Sequence, residues 1–299
     1  MSKKEIEKED ILKEDILNYL NYNLGNKENL DLLDFIFTVD SYEVLGTEVP
    51  NKDEVIKYFN SIQTDEGTWD TGEIHYVPVT AQILMTYSRW GAKPVKSLKP
   101  FFKTIENWRK VVAHVKRYDP GNYWGGLWGY ITCYTMQGEK PPWTREFLKE
   151  VAKEFDKWAF QNHQRTHLMT SLLQLQEPIP RIEEVIKITL QQQRKDGSWG
   201  DPGWNKALPQ TFFAVSLLRI AKDQIDIPVD YAINRGFEFI RQCYTVVSHE
   251  GKNYGGFTTN PNEIFPKPLE TAMGIAALFN PDLYIKWIVS SDPEDSSKS

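Results

Sequence analysis

Glu270 is the residue whose setting points most directly to chemistry. It stands one turn into an apolar run, Leu269-Glu270-Thr271-Ala272-Met273, behind Pro266 and Pro268. A carboxylic acid in apolar surroundings keeps its proton at higher pH, because burial disfavours the charged form, and it can then act as a general acid. His75 is the second candidate, with Glu73 two residues before it to orient the ring. Asp70 and Asp201 are further acids in polar loops. A plainer reading stands beside each, since an acid at a helix start is often an N-cap. His163 and His167 lie four apart and share a helix face, but His-x-x-x-His without a third ligand does not define a metal site. No metal or other cofactor is expected. Seven aromatic residues, Tyr76, Tyr123, Trp124, Trp128, Trp204, Phe212 and Phe213, could line an apolar ligand or turn ring faces to a carbocation. They could equally pack helix against helix.

The bulk properties narrow the field. With 299 residues the chain can bury a sizeable core, and 10 Trp, 14 Tyr and 15 Phe make it rich in aromatic packing material. A net charge of −6 argues against a general nucleic-acid binder, which needs a basic face for phosphates. Lys3, Lys4 and Lys8 alternate with Glu5, Glu7 and Glu9, the pattern of a solvated helix rather than a polybasic tract. Cys133 and Cys243 are isolated, which fits a reducing compartment. With neither a signal-like start nor a run of about 18 apolar residues, a cytoplasmic protein without a transmembrane segment is expected. Peripheral membrane contact stays open, and the oligomeric state is not legible.

The elements that must position these residues come from a repeat. SIQTDEGTWDTGEIHYVPVTAQILMTYSRWG and LQQQRKDGSWGDPGWNKALPQTFFAVSLLRIA follow one order: an amphipathic helix, Gln, three residues, Gly-x-Trp, a polar loop, then an apolar helix. Gln63, Gly67 and Trp69 in the first copy match Gln193, Gly197 and Trp199 in the second. A looser third copy has Gln242, a longer loop and Gly255-Gly256-Phe257. A fourth surrounds Gly126 in NYWGGLWGY, and a degenerate fifth begins near Ala159. The stretch from Asp15 to Asp40 supplies a sixth hairpin. The physical logic is that Gly permits the reversal after the first helix, Gln ties up unsatisfied backbone at its end, and Trp covers that polar contact. The more apolar second helices are predicted near Val79 to Trp90, Tyr130 to Met136, His167 to Leu175, Gln210 to Ala221 and Leu269 to Phe279. About six hairpins of this spacing would close into a ring with the apolar helices inside.

Gln-x-x-x-Gly-x-Trp before an apolar helix resembles the repeat of squalene and oxidosqualene cyclases, and the Gly-Gly-Phe copy resembles that of prenyltransferase β subunits. The resemblance covers most of residues 50–280. It implies an all-α fold, an (α/α)6 toroid of repeated helical hairpins around a largely apolar cavity. Residues 1–288 would form one domain, residues 1–50 its atypical first hairpin, and residues 289–299 a flexible polar tail. The catalytic motifs of these families are missing. There is no Asp-x-Asp-Asp acid motif and no Asp-Asp-x-x-Asp magnesium motif, and neither Cys133 nor Cys243 sits in zinc-ligand spacing. Asp31-Leu32-Leu33-Asp34 has the wrong spacing and reads as part of an outer helix. Two function classes follow from the resemblance. One is an enzyme that handles an isoprenoid or other extended apolar substrate by acid-initiated cyclisation or isomerisation, with Glu270 and His75 as its catalytic pair. The other is a catalytically silent toroid that binds an apolar small molecule or a protein partner.

Overall fold

The computed structural model describes residues 13–69, 76–118, 121–200 and 206–282. Among them helix dominates, and β-structure is confined to one two-stranded sheet. The chain divides into two compact units, residues 1–49 with 181–285 and residues 50–180 with 286–299.

The unit containing residues 50–180 alternates helices that bury one stripe with helices that are buried nearly throughout. Its elements are α3 (Lys52–Ser61), α4 (Tyr76–Trp90), α5 (Lys99–Thr104), α6 (Trp108–Tyr118), α7 (Tyr123–Thr135), α8 (Thr144–Lys153), α9 (Phe155–Trp158) and α10 (Asn162–Gln174). In α3, α6 and α8 the buried residues are single pairs four apart: Val55 and Phe59, Val111 and Val115, Phe147 and Val151. Such a pair marks one narrow apolar stripe. α7, by contrast, is buried from Trp124 to Thr135 and packs against both α4 and α10. The WGGLWG stretch is therefore inside a helix, where the repeat pattern suggested a turn. Its Gly129 explains the packing: a Cβ there would lie 3.0 Å from Val77 Cγ1 and 3.1 Å from the Pro78 nitrogen, so only glycine lets α7 approach the start of α4 this closely.

The other unit contains α1 (Lys13–Gly25), α2 (Leu32–Val44), α11 (Ile182–Gln191), α12 (Ala207–Ala221), α13 (Asp230–Gln242), β1 (Tyr244–His249), β2 (Lys252–Phe257) and α14 (Pro268–Phe279). α14 packs against α2 and α12, and α12 against α11 and α13. α2, α12 and α14 are buried over most of their length, as α4, α7 and α10 are in the first unit described. The long loop expected in the third repeat copy is instead an antiparallel hairpin, paired from Tyr244↔Phe257 to His249↔Lys252. Glu250 and Gly251, with φ of 49° and 76°, close it in the left-handed turn that matches strand twist.

The two repeat turns agree bond for bond. Gln63 Nε2 donates to the carbonyls of Gly67 (2.8 Å) and Lys96 (3.0 Å); Gln193 Nε2 donates to those of Gly197 (3.0 Å) and Ala232 (2.9 Å). Trp69 Nε1 donates to the Phe59 carbonyl at 2.8 Å, and Trp199 Nε1 to the Thr189 carbonyl at 2.7 Å. Both indoles are fully buried. A partner absent from the sequence pattern completes each turn. The Trp69 backbone N–H donates to Thr80 Oγ1 on α4, and that of Trp199 to Thr211 Oγ1 on α12. In the third copy Phe257 N–H donates to Thr271 Oγ1 on α14, so Phe257 stands where the other copies have Trp. Each turn is thereby pinned to the buried helix that follows it.

Gly67 (φ 88°) and Gly197 (φ 91°) occupy a conformation that costs an L-residue about 1–2 kcal/mol. A Cβ at Gly67 would also lie 2.3 Å from the Ser97 carbonyl oxygen, and one at Gly197 would lie 2.4 Å from that of Arg235. Gly67→Ala is therefore expected to destabilise by more than about 2 kcal/mol. It should appear in urea titration as a lowered midpoint with an unchanged slope.

Candidate functional site

The unit with α2, α12 and α14 gathers acids at the starts of its buried helices. Asp31 is the N-cap of α2, its carboxylate accepting the Asp34 N–H at 2.7 Å, which fixes the first turn and places Asp34 at its third residue. This corrects the sequence reading of Asp31 to Asp34 as an outer-helix segment. α2 is the buried helix of its hairpin, from Phe35 to Ser41 without interruption. The misreading has a simple cause. The acids at its start and the polar Thr38, Asp40 and Ser41 within it made the segment look solvated, but all three of those inner residues are buried.

Glu270 is the third residue of α14, the same position that Asp34 holds in α2. It is not an N-cap, since Lys267 precedes the helix as its cap. Glu270 is only 3% exposed, and its Oε1 accepts a hydrogen bond from Thr259 Oγ1 at 2.8 Å. Thr259 in turn accepts from Lys267 Nζ at 2.9 Å, and its carbonyl accepts the Leu208 N–H at 2.9 Å. One short loop thus ties the first turn of α12 to that of α14 and holds the Glu270 carboxylate still.

Asp34 lies in the field of Glu270. Burial, then the charges of Asp31 and Glu270, push its carboxyl up to about 6, against a smaller opposing effect of Lys206. Tyr19 on α1 lies in the same field. Its hydroxyl donates to the Pro266 carbonyl at 3.0 Å, and burial raises its ionisation well above the ordinary phenol range. Unlike Glu270, the Asp34 carboxyl accepts no hydrogen bond from any described residue. A half-buried carboxyl without partners, beside a fixed like charge, retains its proton nearly to neutrality and can give it up.

The aromatic candidates divide between the units. Phe212 and Phe213 neighbour each other on α12, with Phe212 buried and Phe213 partly exposed. Tyr123, Trp124 and Trp128 belong to α7 in the other unit. Trp124 meets Phe147 of α8 edge to face and its backbone N–H donates to Gln164 Oε1 at 3.0 Å, so it packs hairpin against hairpin. Tyr123 meets Trp124 edge to face. Trp128 instead lies against His167, ring centroids 5.4 Å apart. His163 and His167 do share a face of α10, and their Nε2 atoms are 2.9 Å apart. Burial lowers His167 to about 4, which keeps it neutral at physiological pH.

His75, Asp70, Glu73, Asp201 and Trp204 lie outside the described residues, as does the side chain of Tyr76, whose backbone opens α4. Cys133 and Cys243 are buried and form no disulfide. Among the described residues no group of three His, Cys, Asp or Glu side chains converges, and no helix is long and apolar enough to cross a membrane. No protein-family model and no curated protein sequence matches the chain.

Proposed function

We propose that the chain is an acid-initiated enzyme of the terpenoid cyclase and prenyltransferase kind, acting on an isoprenoid or similarly extended apolar substrate. Asp34 is its proton donor, kept protonated by burial first and then by the charges of Asp31 and Glu270. The reading takes the six helical hairpins as one (α/α)6 toroid domain. Its support is that the buried helices run in two packed series, α4–α7–α10 and α12–α14–α2, with an outer helix before each.

The observation that carries the proposal is the half-buried Asp34 carboxyl, which burial and its acidic neighbours raise to about 6 and which accepts no hydrogen bond from any described residue. Protonating an alkene requires an acid that stays neutral in an apolar setting and loses little when it ionises. Ionised Asp34 sits in the first turn of α2, where the unsatisfied N–H groups of a helix start stabilise negative charge. Glu270, by contrast, is held by the bond that its Oε1 accepts from Thr259. The role first given to Glu270 thus passes to Asp34, with Glu270 as its positioning partner. A cytoplasmic location is part of this reading and fits two cysteines that form no disulfide.

The test uses product chemistry. Cyclisation and isomerisation conserve mass, so purified protein incubated with farnesol, geranylgeraniol or squalene should yield a product of equal mass and different retention in gas chromatography–mass spectrometry. Asp34→Asn protein should leave the same substrate unchanged. No conversion by the wild-type protein, together with no isoprenoid in its solvent extract, would sink the proposal and leave the silent binding toroid.

A further inference from the structure

We propose that His163 and His167 form a chelating site for a square-planar or tetragonal divalent cation, Cu(II) or Ni(II), beside the indole of Trp128. The inference is independent of the acid pair. Both imidazoles rise from the same face of α10, and their Nε2 atoms approach to 2.9 Å with the rings nearly perpendicular at 88°. Metal–imidazole bonds are about 2.0–2.1 Å long, so two nitrogens this far apart subtend about 90° at a shared ion. A tetrahedral ion would need them about 3.3 Å apart. The right angle is the cis angle of Cu(II) and Ni(II) sites.

A ligating imidazole must be neutral. In the metal-free pair one Nε2 donates to the other. Binding requires that the proton shared in this bond leave Nε2, so that both Nε2 lone pairs can turn to the ion. Both residues are partly exposed.

Trp128 supplies the second observation. It is 5% exposed, packs on His167, and its Nε1–H is buried without an acceptor among the described residues. A buried donor without an acceptor costs about 1–3 kcal/mol, a cost removed when a ligand supplies the missing oxygen. Water, hydroxide or a carboxylate on a cation held by the two histidines is a ligand of that chemistry. Two imidazoles anchor the ion, and the indole N–H orients what the ion carries.

Tag-free, full-length protein titrated with CuCl2 and NiCl2 in a non-coordinating buffer tests this. One equivalent of Cu(II) should bind with an electron paramagnetic resonance spectrum showing coupling to two imidazole nitrogens. Both metals should raise the melting temperature, because they bind only the folded chain. His163→Asn and His167→Asn should each weaken binding by at least about tenfold, the lower end of what losing even an outer-sphere partner costs. Trp128→Phe keeps the ring and removes the N–H, and should weaken binding less than either. His249→Asn, at an exposed histidine on β1, should change nothing. Circular dichroism identifies any variant that fails to fold, and His163→Asn, at the partly exposed ring, carries the test if His167→Asn does. Affinity unaffected by His163→Asn in folded protein, or the absence of saturable binding, would overturn the proposal.

Discussion

Asp34→Asn is expected to cut turnover by about 10²–10⁴-fold, the usual contribution of a general acid, and to raise the melting temperature at pH 8. The two effects together separate a functional acid from a structural one. The folded-state value of Asp34, about 6, lies above the ordinary 3.8. Between those values the native chain binds more protons than the unfolded chain, so stability falls as pH rises from about 4 through 6. Above that window the ionised carboxylate remains a burden on the fold, and the neutral amide of the same shape removes it. A residue kept at such a cost is a functional candidate. If Asp34 were only a helix-start acid, Asp34→Asn would lower stability and leave turnover intact.

The wild-type pH profile follows from the same values. The proton must be on Asp34 at the start of the reaction, so kcat/KM should fall as pH rises through about 6. Glu270→Gln keeps an acceptor for Thr259 and removes one of the two charges that, after burial, raise Asp34. It should move this limb to lower pH, and carboxyl-carbon NMR of Asp34 should show the same displacement. A limb that stays in place would mean that Glu270 does not govern Asp34.

Trp199→Ala should carry the largest loss of stability, about 3–5 kcal/mol for truncating a fully buried indole. Three connections go with the ring. The Nε1–H bond to the Thr189 carbonyl near the end of α11 is lost. So is the surface against Gly236 of α13, where an added Cβ would stand only 3.0 Å from the indole. The backbone N–H that holds α12 through Thr211 loses the wall that shields it from water. Trp199→Phe restores most of the volume but not the donor, and should recover part of the loss. Guanidinium or urea unfolding of both variants measures this, and a loss below about 1 kcal/mol for Trp199→Ala would show that the indole is not what joins these helices.

The short-range features were legible in the amino-acid sequence because they are governed by local chemistry. Gln63-x-x-x-Gly67-x-Trp69 and its copy at Gln193 announced the turns: a positive-φ glycine, a Gln for unsatisfied backbone and a Trp cover act within a few residues of one another. The apolar helices after them were legible for the same reason, although α7 begins at Tyr123, earlier than its glycines suggested. Glu270 was visible as an acid at the start of an apolar helix, and its burial agrees with that. What only the tertiary structure decided involves partners far apart in the chain. Asp34 looked like a surface acid until α2 packed against α14 and brought it into the field of Glu270, more than two hundred residues away. Thr80, Thr211 and Thr271 carried no signal of their own, because a hydroxyl becomes a latch only when a turn's backbone N–H is delivered to it. The same holds for His163, His167 and Trp128. Helical spacing put the two imidazoles on one face, but only the packing of α7 against α10 set the indole beside them and left its N–H without an acceptor among the described residues. Sequence pattern fixes which side chains a helix turns to one side, whereas burial and long-range charge depend on what the rest of the chain packs against that side.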